Sequence, residues 1–352
     1  MIKPKVRIAK RESKLNSPRG AKKARQVRRG GDASKSSFRL VSAGATKWLE
    51  SPELKVPRVV HAFSTRAGSG GKLAHGFNLG FTPDEPRGRI EKNRTKYVRA
   101  IGAGKFVLAE ARQIHSTVVY HVRWGRGKLQ YLPGGFPRER DDASPQGDAL
   151  ITDQPGILLS VRSADCVPIL IADATGRAVA AVHAGWKGML GGIVEKTVGE
   201  MIRNFNLSPR GLRAAIGPSI GVCCYEVSED LAEHFRGRFA AGDQFLVSPR
   251  PDDEHDGSMR QPYPPPFLSR TPPGHGPDVV PGPHLNLQAA ARYQLLRAGL
   301  AKAHIQESGL CTACRTDLFY SHRKEGSYTG RMMAVIGIRP AKEKRTSRTR
   351  SE

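Results

Sequence analysis

Short apolar segments separated by turn-forming residues fill the middle of the chain and restrict what it can fold into. Each is five to seven residues long, which is too short for a typical helix, and most are rich in the β-branched and aliphatic side chains of buried strands. They lie at residues 148–152 (DALIT), 156–162 (GILLSVR), 167–172 (VPILIA), 178–182 (AVAAV) and 212–216 (LRAAI). The pattern predicts a core built on β-sheet.

Further strands and helices are predicted before and after this central region. Residues 57–63 (PRVVHAF), 113–122 (QIHSTVVYHV) and 331–338 (RMMAVIGI) predict more strands, and residues 285–299 predict an amphipathic helix. A second helix is predicted after Gly188, where apolar residues recur at helical spacing; they are Leu190, Ile193, Val194, Val198, Met201 and Ile202. Together these elements predict a single α+β domain.

The glycines of the STRAGSGG segment, residues 64–71, do not form the G-x-G-x-x-G pattern that opens a helix after a strand. A dinucleotide-binding domain is therefore not expected.

Charge is distributed unevenly along the chain. The net charge is +25, and residues 1–40 and 341–352 carry +12 and +3 of it. We expect disordered basic tails at 1–40 and 340–352 and a domain at 55–339, with residues 38–40 as the alternative start of the folded part. Within the domain we expect a surface insertion at 249–283, which contains eleven prolines. Solvated tails are the simplest interpretation, and weak nonspecific contact with nucleic acid or anionic lipid is the alternative.

Five cysteines, an odd number in a long chain, argue against a disulfide framework. The basic N-terminal region has no apolar segment of the secretory type, and no run of about 18 apolar residues is present. We therefore expect a cytoplasmic protein with no membrane association.

Two reactive side chains stand at the ends of predicted strands. Cys166 follows Ser-Ala-Asp, and His183 precedes Ala-Gly-Trp-Lys-Gly. If the two strands end at the same side of one sheet, both side chains reach one rim, and His115 in Q-I-H-S is a third candidate. Imidazole and thiolate suit zinc, and three protein ligands leave a position open for water or substrate. A Cys166–His183 nucleophilic pair, or a buried cysteine beside surface histidines, fits the same spacing.

Several motifs occur together in order: S-A-D-C-V-P, V-H-A-G-W-K-G, I-G-P-S-I-G-V-C-C-Y-E-V and F-Y-S-H-R-K-E-G. In this the chain resembles, over about residues 59–338 without the insertion, the family once called multicopper polyphenol oxidoreductase or laccase-domain proteins. Members have since been described as zinc-dependent purine nucleoside phosphorylases, and one branch is called the peptidoglycan-editing factor. The resemblance implies a layered α/β/β/α fold of the cysteine-hydrolase-like type.

The resemblance also implies a function and a cofactor. The metal ligands would be His115, Cys166 and His183, with zinc expected and copper less so. The substrates would be purine nucleosides (adenosine, inosine, guanosine and methylthioadenosine) and phosphate, giving base and ribose 1-phosphate. Deamination of adenosine would be a side activity.

The remaining site residues are predicted on weaker grounds. Arg66 in S-T-R-A-G, together with Asn78, Arg323 and Arg331, would bind substrate or phosphate, with turn capping or salt bridges as the simpler roles. Arg66, Cys166 and Asp165 are the candidate catalytic residues, and Gln113 and Asp165 could orient the ligands.

Aromatic and spare cysteine residues are assigned mostly to packing. Tyr225 could stack on a purine, whereas core packing is preferred for Trp186. Packing is the preferred role of the Cys223-Cys224 pair and of the C-x-x-C of Cys311 and Cys314, for which a redox pair or half a zinc finger is the alternative.

Three other functions stay open at this stage. A copper-dependent phenol oxidase is disfavoured because it needs many histidines, and the chain has 11, some of them in or beside the insertion. A cysteine hydrolase editing peptidoglycan precursors would use Cys166 as nucleophile. A nucleic-acid-binding protein would use the tails.

Overall fold

The computed structural model describes residues 7–10, 38–68, 76–83, 85–133, 145–247, 282–327 and 329–341. The predicted insertion at 249–283 and most of both predicted tails therefore lie outside the described residues.

Two seven-stranded sheets carry most of the described chain. The first has the strand order β1-β2-β3-β4-β16-β9-β5, formed by Arg7–Lys10, Arg39–Ala43, Thr46–Glu50, Val59–Ser64, Met332–Ile338, Ile157–Ser163 and Val107–Ala109. The second has the order β15-β12-β10-β11-β8-β6-β7, formed by Ile305–Glu307, Leu212–Ile216, Val167–Asp173, Val179–Ala184, Ala149–Thr152, Val119–Gly125 and Lys128–Pro133. A two-stranded ribbon pairs β13 (Leu246–Val247) with β14 (His284–Leu285).

Six helices complete the described fold: α1 (Arg87–Ala100), α2 (Trp186–Leu190), α3 (Ile193–Phe205), α4 (Glu229–Arg238), α5 (Leu287–Arg297) and α6 (His322–Glu325). None of them is both long enough and apolar enough to cross a bilayer.

The side chains of β10 show how the layers stack. Leu170 and Ala172 join a core with Leu159 and Val161 of the first sheet, so this face lies between the two sheets. The side chains that alternate with these along the strand, such as Ile169, pack against the helices α2, α3 and α5 instead. Because both faces are covered, the strand is apolar throughout. This is why the segment VPILIA shows no polar alternation.

On its other face the first sheet packs against α1, where Tyr97 meets Trp48, Leu158 and Val335. The result is a mixed α/β domain with layers in the order helix, sheet, sheet, helices. The predicted single α+β domain and the layer order agree with it.

The described strands favour the earlier of the two predicted starts of the fold, near residues 38–40, over residue 55. The strands β2 and β3 belong to the first sheet, and Arg7–Lys10, within the predicted tail, pairs in parallel with β2. Trp48 and Leu49 are fully buried. Removing these strands would expose that core, so they are part of the fold.

Two predicted elements are also displaced. The helix expected to run on from Gly188 is broken into α2 and α3, because Gly192 adopts a left-handed backbone with φ 77°. The strand expected at 113–122 begins only at Val119. Residues 113–118 instead form a loop in which His115 has φ 58°.

Candidate metal centre

Three predicted ligands come together where the chain crosses between the two sheets. Cys166 ends the turn from β9 in the first sheet to β10 in the second, and His115 lies on the loop from β5 to β6, which makes the same crossing. β10 and β11 are antiparallel and pair Pro168 with His183, so Cys166 and His183 reach the same rim. The sequence argument from strand ends therefore predicts this juxtaposition correctly.

The distances within this group suit a metal ion. The ligating atoms of His115, Cys166 and His183 all lie within 4.8 Å of one another. Cys166 Sγ is 3.8 Å from His115 Nε2, and the two imidazole rings meet edge to face at 5.1 Å. His183 is buried, whereas His115 is exposed. The group is therefore accessible from the side of His115.

Asp148, which sequence reasoning missed, organises the two histidines. Its carboxylate is buried and accepts a hydrogen bond from His183 Nδ1 at 2.9 Å, leaving Nε2 of that ring for the site. It also accepts the backbone N–H groups of His115 at 3.0 Å and Ser116 at 2.6 Å, and the Ser116 hydroxyl at 2.7 Å. One carboxylate thus fixes the ring of one ligand and the backbone of the other, as expected of an outer group that supports a metal site.

Electrostatics at this site favour a thiolate. Burial alone would raise the pKa of the Cys166 thiol, but His183 and His115 outweigh it and lower that pKa to about 6. Burial would lower the pKa of His183, yet the Cys166 thiolate and Asp148 raise it to about 9. Burial likewise opposes ionisation of Asp148, but hydrogen bonds from His183 and Ser116 bring its pKa to about 2. Cys166 is therefore readily available as the thiolate, the form that binds a metal or attacks an electrophile.

The motif after His183 provides room for the loop that carries His115. A Cβ atom on Gly185 would lie 2.7 Å from His115 Cδ2 and 3.1 Å from Cys166 Sγ. One on Gly191 would lie 2.4 Å from the Thr117 side chain. These glycines therefore allow α2 to pack directly against the 115–117 turn.

Gln113 and Asp165 hold the two loops that carry His115 and Cys166. The side-chain amide of Gln113 accepts a hydrogen bond from the N–H of Arg162 in β9 at 2.8 Å and donates one to its carbonyl at 2.7 Å. These two bonds tie the His115 loop to the first sheet. Asp165 has φ 89°, and its carboxylate accepts the Thr312 hydroxyl at 2.6 Å and the Arg323 N–H at 2.7 Å. These bonds suit a positioning role for Asp165, and the predicted catalytic role stays a prediction.

One predicted phosphate-binding residue, Arg331, has its guanidinium near Asp165 and Cys166. Arg331 is close enough to Asp165 and Cys166 for their charges to raise its pKa, although burial lowers that pKa overall. Asn78 is buried, and its Oδ1 accepts the Arg331 N–H at 2.8 Å. Asn78 therefore anchors the backbone of Arg331. The same Oδ1 accepts the Gly80 N–H at 2.8 Å, which is the turn-capping contact considered as its simpler role.

Two further arginines have partners within the protein. Arg66 donates to the Thr316 carbonyl at 2.8 Å, pairs with Glu325 at 2.6 Å and lies over the Tyr320 ring. Arg323 donates to the Glu226 carbonyl at 3.0 Å, and its guanidinium lies 5.2 Å from the centre of the Tyr225 ring.

Burial raises the pKa of Tyr225 to about 12, and the negative charge of Cys166 acts in the same direction. The Tyr225 ring therefore lies near Cys166 of the candidate metal centre. Trp186 packs against the helical core, in line with the packing role preferred from sequence.

The expectation for the other four cysteines needs correction. The sequence argument treats Cys223 and Cys224 apart from Cys311 and Cys314 and assigns each pair to packing. The structure brings all four Sγ atoms within 4.8 Å of one another. The long sequence separation, about 90 residues, hides this group in the sequence.

Fold and site together define a class of protein: a layered α/β domain with a His-Cys-His cluster, fit to hold a metal ion, at the rim between two sheets. The family model of multi-copper polyphenol oxidoreductase laccase matches residues 60–261 and 267–339. The chain belongs to this family, which confirms the resemblance seen in the motifs.

Relatives share most of the chain. A protein of Deinococcus radiodurans named purine nucleoside phosphorylase is 36% identical over 305 residues, which are 86% of this chain and 97% of the relative. A protein from an unknown prokaryotic organism, named adenosine deaminase RL5, is 30% identical, covering 79% of this chain and 93% of the relative. The crystal structure of the Bacillus licheniformis hypothetical protein YfiH superposes with a TM-score of 0.65 at 27% identity, covering 86% and 99% of the two chains.

Proposed function

We propose that this protein is a zinc-dependent purine nucleoside phosphorylase that also deaminates adenosine. The observation that carries the proposal is the accessible His115, Cys166 and His183 group, whose ligating atoms lie within 4.8 Å of one another. Its two imidazoles and one thiolate suit zinc, and three protein ligands are typical of catalytic rather than structural zinc. The names of the Deinococcus radiodurans protein and of adenosine deaminase RL5 supply the substrate class.

When bound at these ligands, zinc would supply Lewis acidity to a substrate oxygen or water. The protein's own side chains would hold the ligands in place. Asp148 keeps the His183 ring oriented, and its bonds to the 115–116 backbone keep the two histidines at a fixed separation. A ligand set held in this way costs little reorganisation during the reaction.

Phosphate would be bound by guanidinium groups, which match its oxygens with paired N–H donors. Arg331 is the best placed, since it lies within electrostatic reach of Cys166 and Asp165 and its backbone is fixed by Asn78. Arg323 could contribute from beside Tyr225, whose ring could stack on the purine. Arg66 would have to exchange its Glu325 partner for phosphate.

The test combines metal analysis with turnover. The wild type should contain zinc and convert adenosine, inosine, guanosine and methylthioadenosine to free base. The sugar 1-phosphate, which is ribose 1-phosphate for the first three and 5-methylthioribose 1-phosphate for methylthioadenosine, should form only when phosphate is present. Inosine formed from adenosine without phosphate would report deamination. Cys166→Ala and His115→Ala should lose both activities, whereas His234→Ala, on the exposed side of α4, should keep them. A zinc-free wild type, or one that turns over none of these nucleosides, would refute the proposal.

A second candidate is a cysteine hydrolase acting on peptidoglycan precursors. The lowered pKa of Cys166 and its 3.8 Å contact with His115 favour it, because a thiolate beside an imidazole is the usual arrangement of a cysteine nucleophile. It predicts inactivation by thiol alkylation and full activity after chelation. The zinc proposal predicts loss of activity on chelation and recovery on adding zinc.

Other functions receive less support. Within the described ranges, the two groups suited to metal are this one and the four cysteines, and neither offers the many histidines of a multicopper oxidase. The names of the relatives give no support to nucleic-acid contact. Small purine nucleosides and phosphate remain the proposed partners.

A further inference from the structure

Four cysteines outside the His-Cys-His site meet at one place. Cys223 and Cys224 lie on the loop after β12, and Cys311 and Cys314 lie on the loop after β15. Cys314 Sγ is 3.4 Å from the Sγ atoms of both Cys223 and Cys224, and all four sulfurs lie within 4.8 Å of one another. None of them is in a disulfide. We call these residues the four-cysteine cluster.

The spacing of the sulfurs fits one tetrahedral metal ion. Zinc–sulfur bonds of about 2.3 Å place the sulfurs of a tetrahedral site about 3.8 Å apart. Two of the sulfur–sulfur distances in the cluster are 3.4 Å and all of them are within 4.8 Å, which is compatible with that value. A polynuclear iron–sulfur centre would need a wider set, because its thiolates bind different iron atoms. Four thiolates around one ion are the donor set of structural zinc.

The surrounding backbone is also shaped for this cluster. The Gly221 N–H donates to Cys311 Sγ at 3.1 Å, a bond that stabilises a thiolate. A Cβ atom at Gly221 would lie 3.0 Å from Cys311 Cβ and 3.2 Å from Cys223 Sγ, so a larger residue would push the two loops apart. Cys223 and Cys314 are exposed, which gives a metal ion a path from solvent.

We propose that the four-cysteine cluster is a second metal site, which binds one Zn²⁺ and acts structurally. Four protein ligands leave no position open for substrate, unlike the His115, Cys166 and His183 group. The thiols must release their protons to bind the ion, so zinc binding acidifies a weakly buffered solution.

The metal would fasten two loops that hold the turn before Cys166. The Asp165 carbonyl accepts the Ile220 N–H at 2.9 Å, and the Asp165 carboxylate accepts the Thr312 hydroxyl. Ile220 precedes the cysteine pair of one loop, and Thr312 lies between the two cysteines of the other. Joining the two loops through one ion therefore stabilises Asp165 from both sides. Removing the ion should lower the thermal midpoint of unfolding.

Metal content provides the first test. Protein purified under reducing conditions should contain two equivalents of zinc by elemental analysis. A Cys223→Ser/Cys314→Ser variant should contain one, and Cys166→Ser should keep the equivalent bound by the cluster. Unchanged zinc in the double variant would overturn the proposal, as would a zinc-free Cys166→Ser protein. Two disulfides among these cysteines in protein prepared anaerobically would also overturn it.

Cobalt provides a second test that does not depend on the double variant folding. In Cys166→Ser the four cysteines of the cluster are the only ones left, because the chain has five. Titration of the reduced, metal-free form of this variant with Co²⁺ should give intense sulfur-to-cobalt charge-transfer bands and tetrahedral ligand-field bands that saturate at one equivalent. Absence of these bands would refute the site. This readout is independent of nucleoside turnover, so it can succeed even if the proposed enzymatic function fails.

Discussion

Asp148 acts on two ligands of the candidate metal centre at once, because one carboxylate serves both histidines. It accepts bonds from the His183 ring, from the His115 and Ser116 backbone and from the Ser116 hydroxyl. Any change that keeps its shape but removes its charge therefore acts on the orientation of two ligands at once.

We predict that Asp148→Asn lowers zinc affinity by about 10- to 100-fold, the usual effect of losing an outer group of a metal site. The NH₂ group of the amide would face N–H groups that now donate to the carboxylate. Two donors repel each other, so the His115 loop must shift. Competition with a chromophoric chelator measures the affinity. Asp153→Asn makes the same chemical change at an exposed carboxylate near His121 and should bind zinc as the wild type does. Equal affinity of Asp148→Asn and the wild type would contradict the role of Asp148.

At this residue scale, the sequence predicts the ligands and two supporting residues, Gln113 and Asp165, but not Asp148. Cys166 and His183 stand at strand ends, a local signal that can be seen in the pattern. Asp148 supports the site only because β8 pairs with β11, placing Ala149 opposite Val182. That pairing joins segments about 30 residues apart, and no local pattern specifies it.

Among the elements, α2 is the one that the site constrains most closely. It begins after Gly185, whose φ of −77° any residue can adopt, so glycine is needed there only for space. The space is limited, because a methyl group at this position would lie 2.7 Å from the His115 ring and 3.1 Å from Cys166 Sγ. Helix and ligand loop are therefore in direct contact.

We predict that Gly185→Ala displaces His115 by several tenths of an ångström and lowers zinc affinity by about tenfold or more, while the fold is retained. The matched control is Gly199→Ala in α3, where an added Cβ meets nothing within 4 Å. That control should bind zinc normally and be more stable by up to about 1 kcal/mol, because alanine favours a helix. Zinc titration and urea unfolding of both variants test the pair. Wild-type zinc binding by Gly185→Ala would show that the loop has more freedom than these distances allow.

Apolar periodicity predicts the elements that bury a wide face and misses those that do not. Helix α5 is expected at 285–299 and spans Leu287–Arg297. Helix α1 escapes prediction because its sequence is strongly polar. Its buried apolar side chains are Ile90 and Tyr97, and Tyr97 packs in the core on the first sheet. The break between α2 and α3 depends on the left-handed Gly192, and a periodic apolar pattern continues through such a break.

At the scale of the whole molecule, the stability of the fold is linked to pH through His61, a buried histidine with no proposed catalytic or ligand role. His61 in β4 is buried, and its Nε2 accepts the Ser51 N–H at 2.9 Å, joining the end of β3 to β4. Burial lowers the pKa of His61 to about 4, and the charge of Lys55 acts in the same direction. A protonated Nε2 could not accept the Ser51 bond, so the folded protein favours the neutral ring.

The sign of the pH effect follows from comparing the folded and unfolded states. In the unfolded chain His61 titrates near its ordinary value of 6.5, whereas in the folded chain it titrates near 4. Between these values the unfolded state takes up a proton that the folded state does not. The stabilisation is therefore complete above about pH 6.5, and the free energy of unfolding should fall by up to about 3 kcal/mol as pH is lowered to 4.

Urea unfolding of the wild type and His61→Gln between pH 4 and 7.5 tests this prediction. Glutamine keeps a side-chain acceptor for Ser51 but does not titrate. Its free energy of unfolding should therefore change less over this range, whatever its absolute stability. His121, whose pKa burial also lowers, acts with the same sign and is present in both proteins, so it cancels in the comparison. Parallel pH profiles for the two proteins would show that His61 does not link folding to pH.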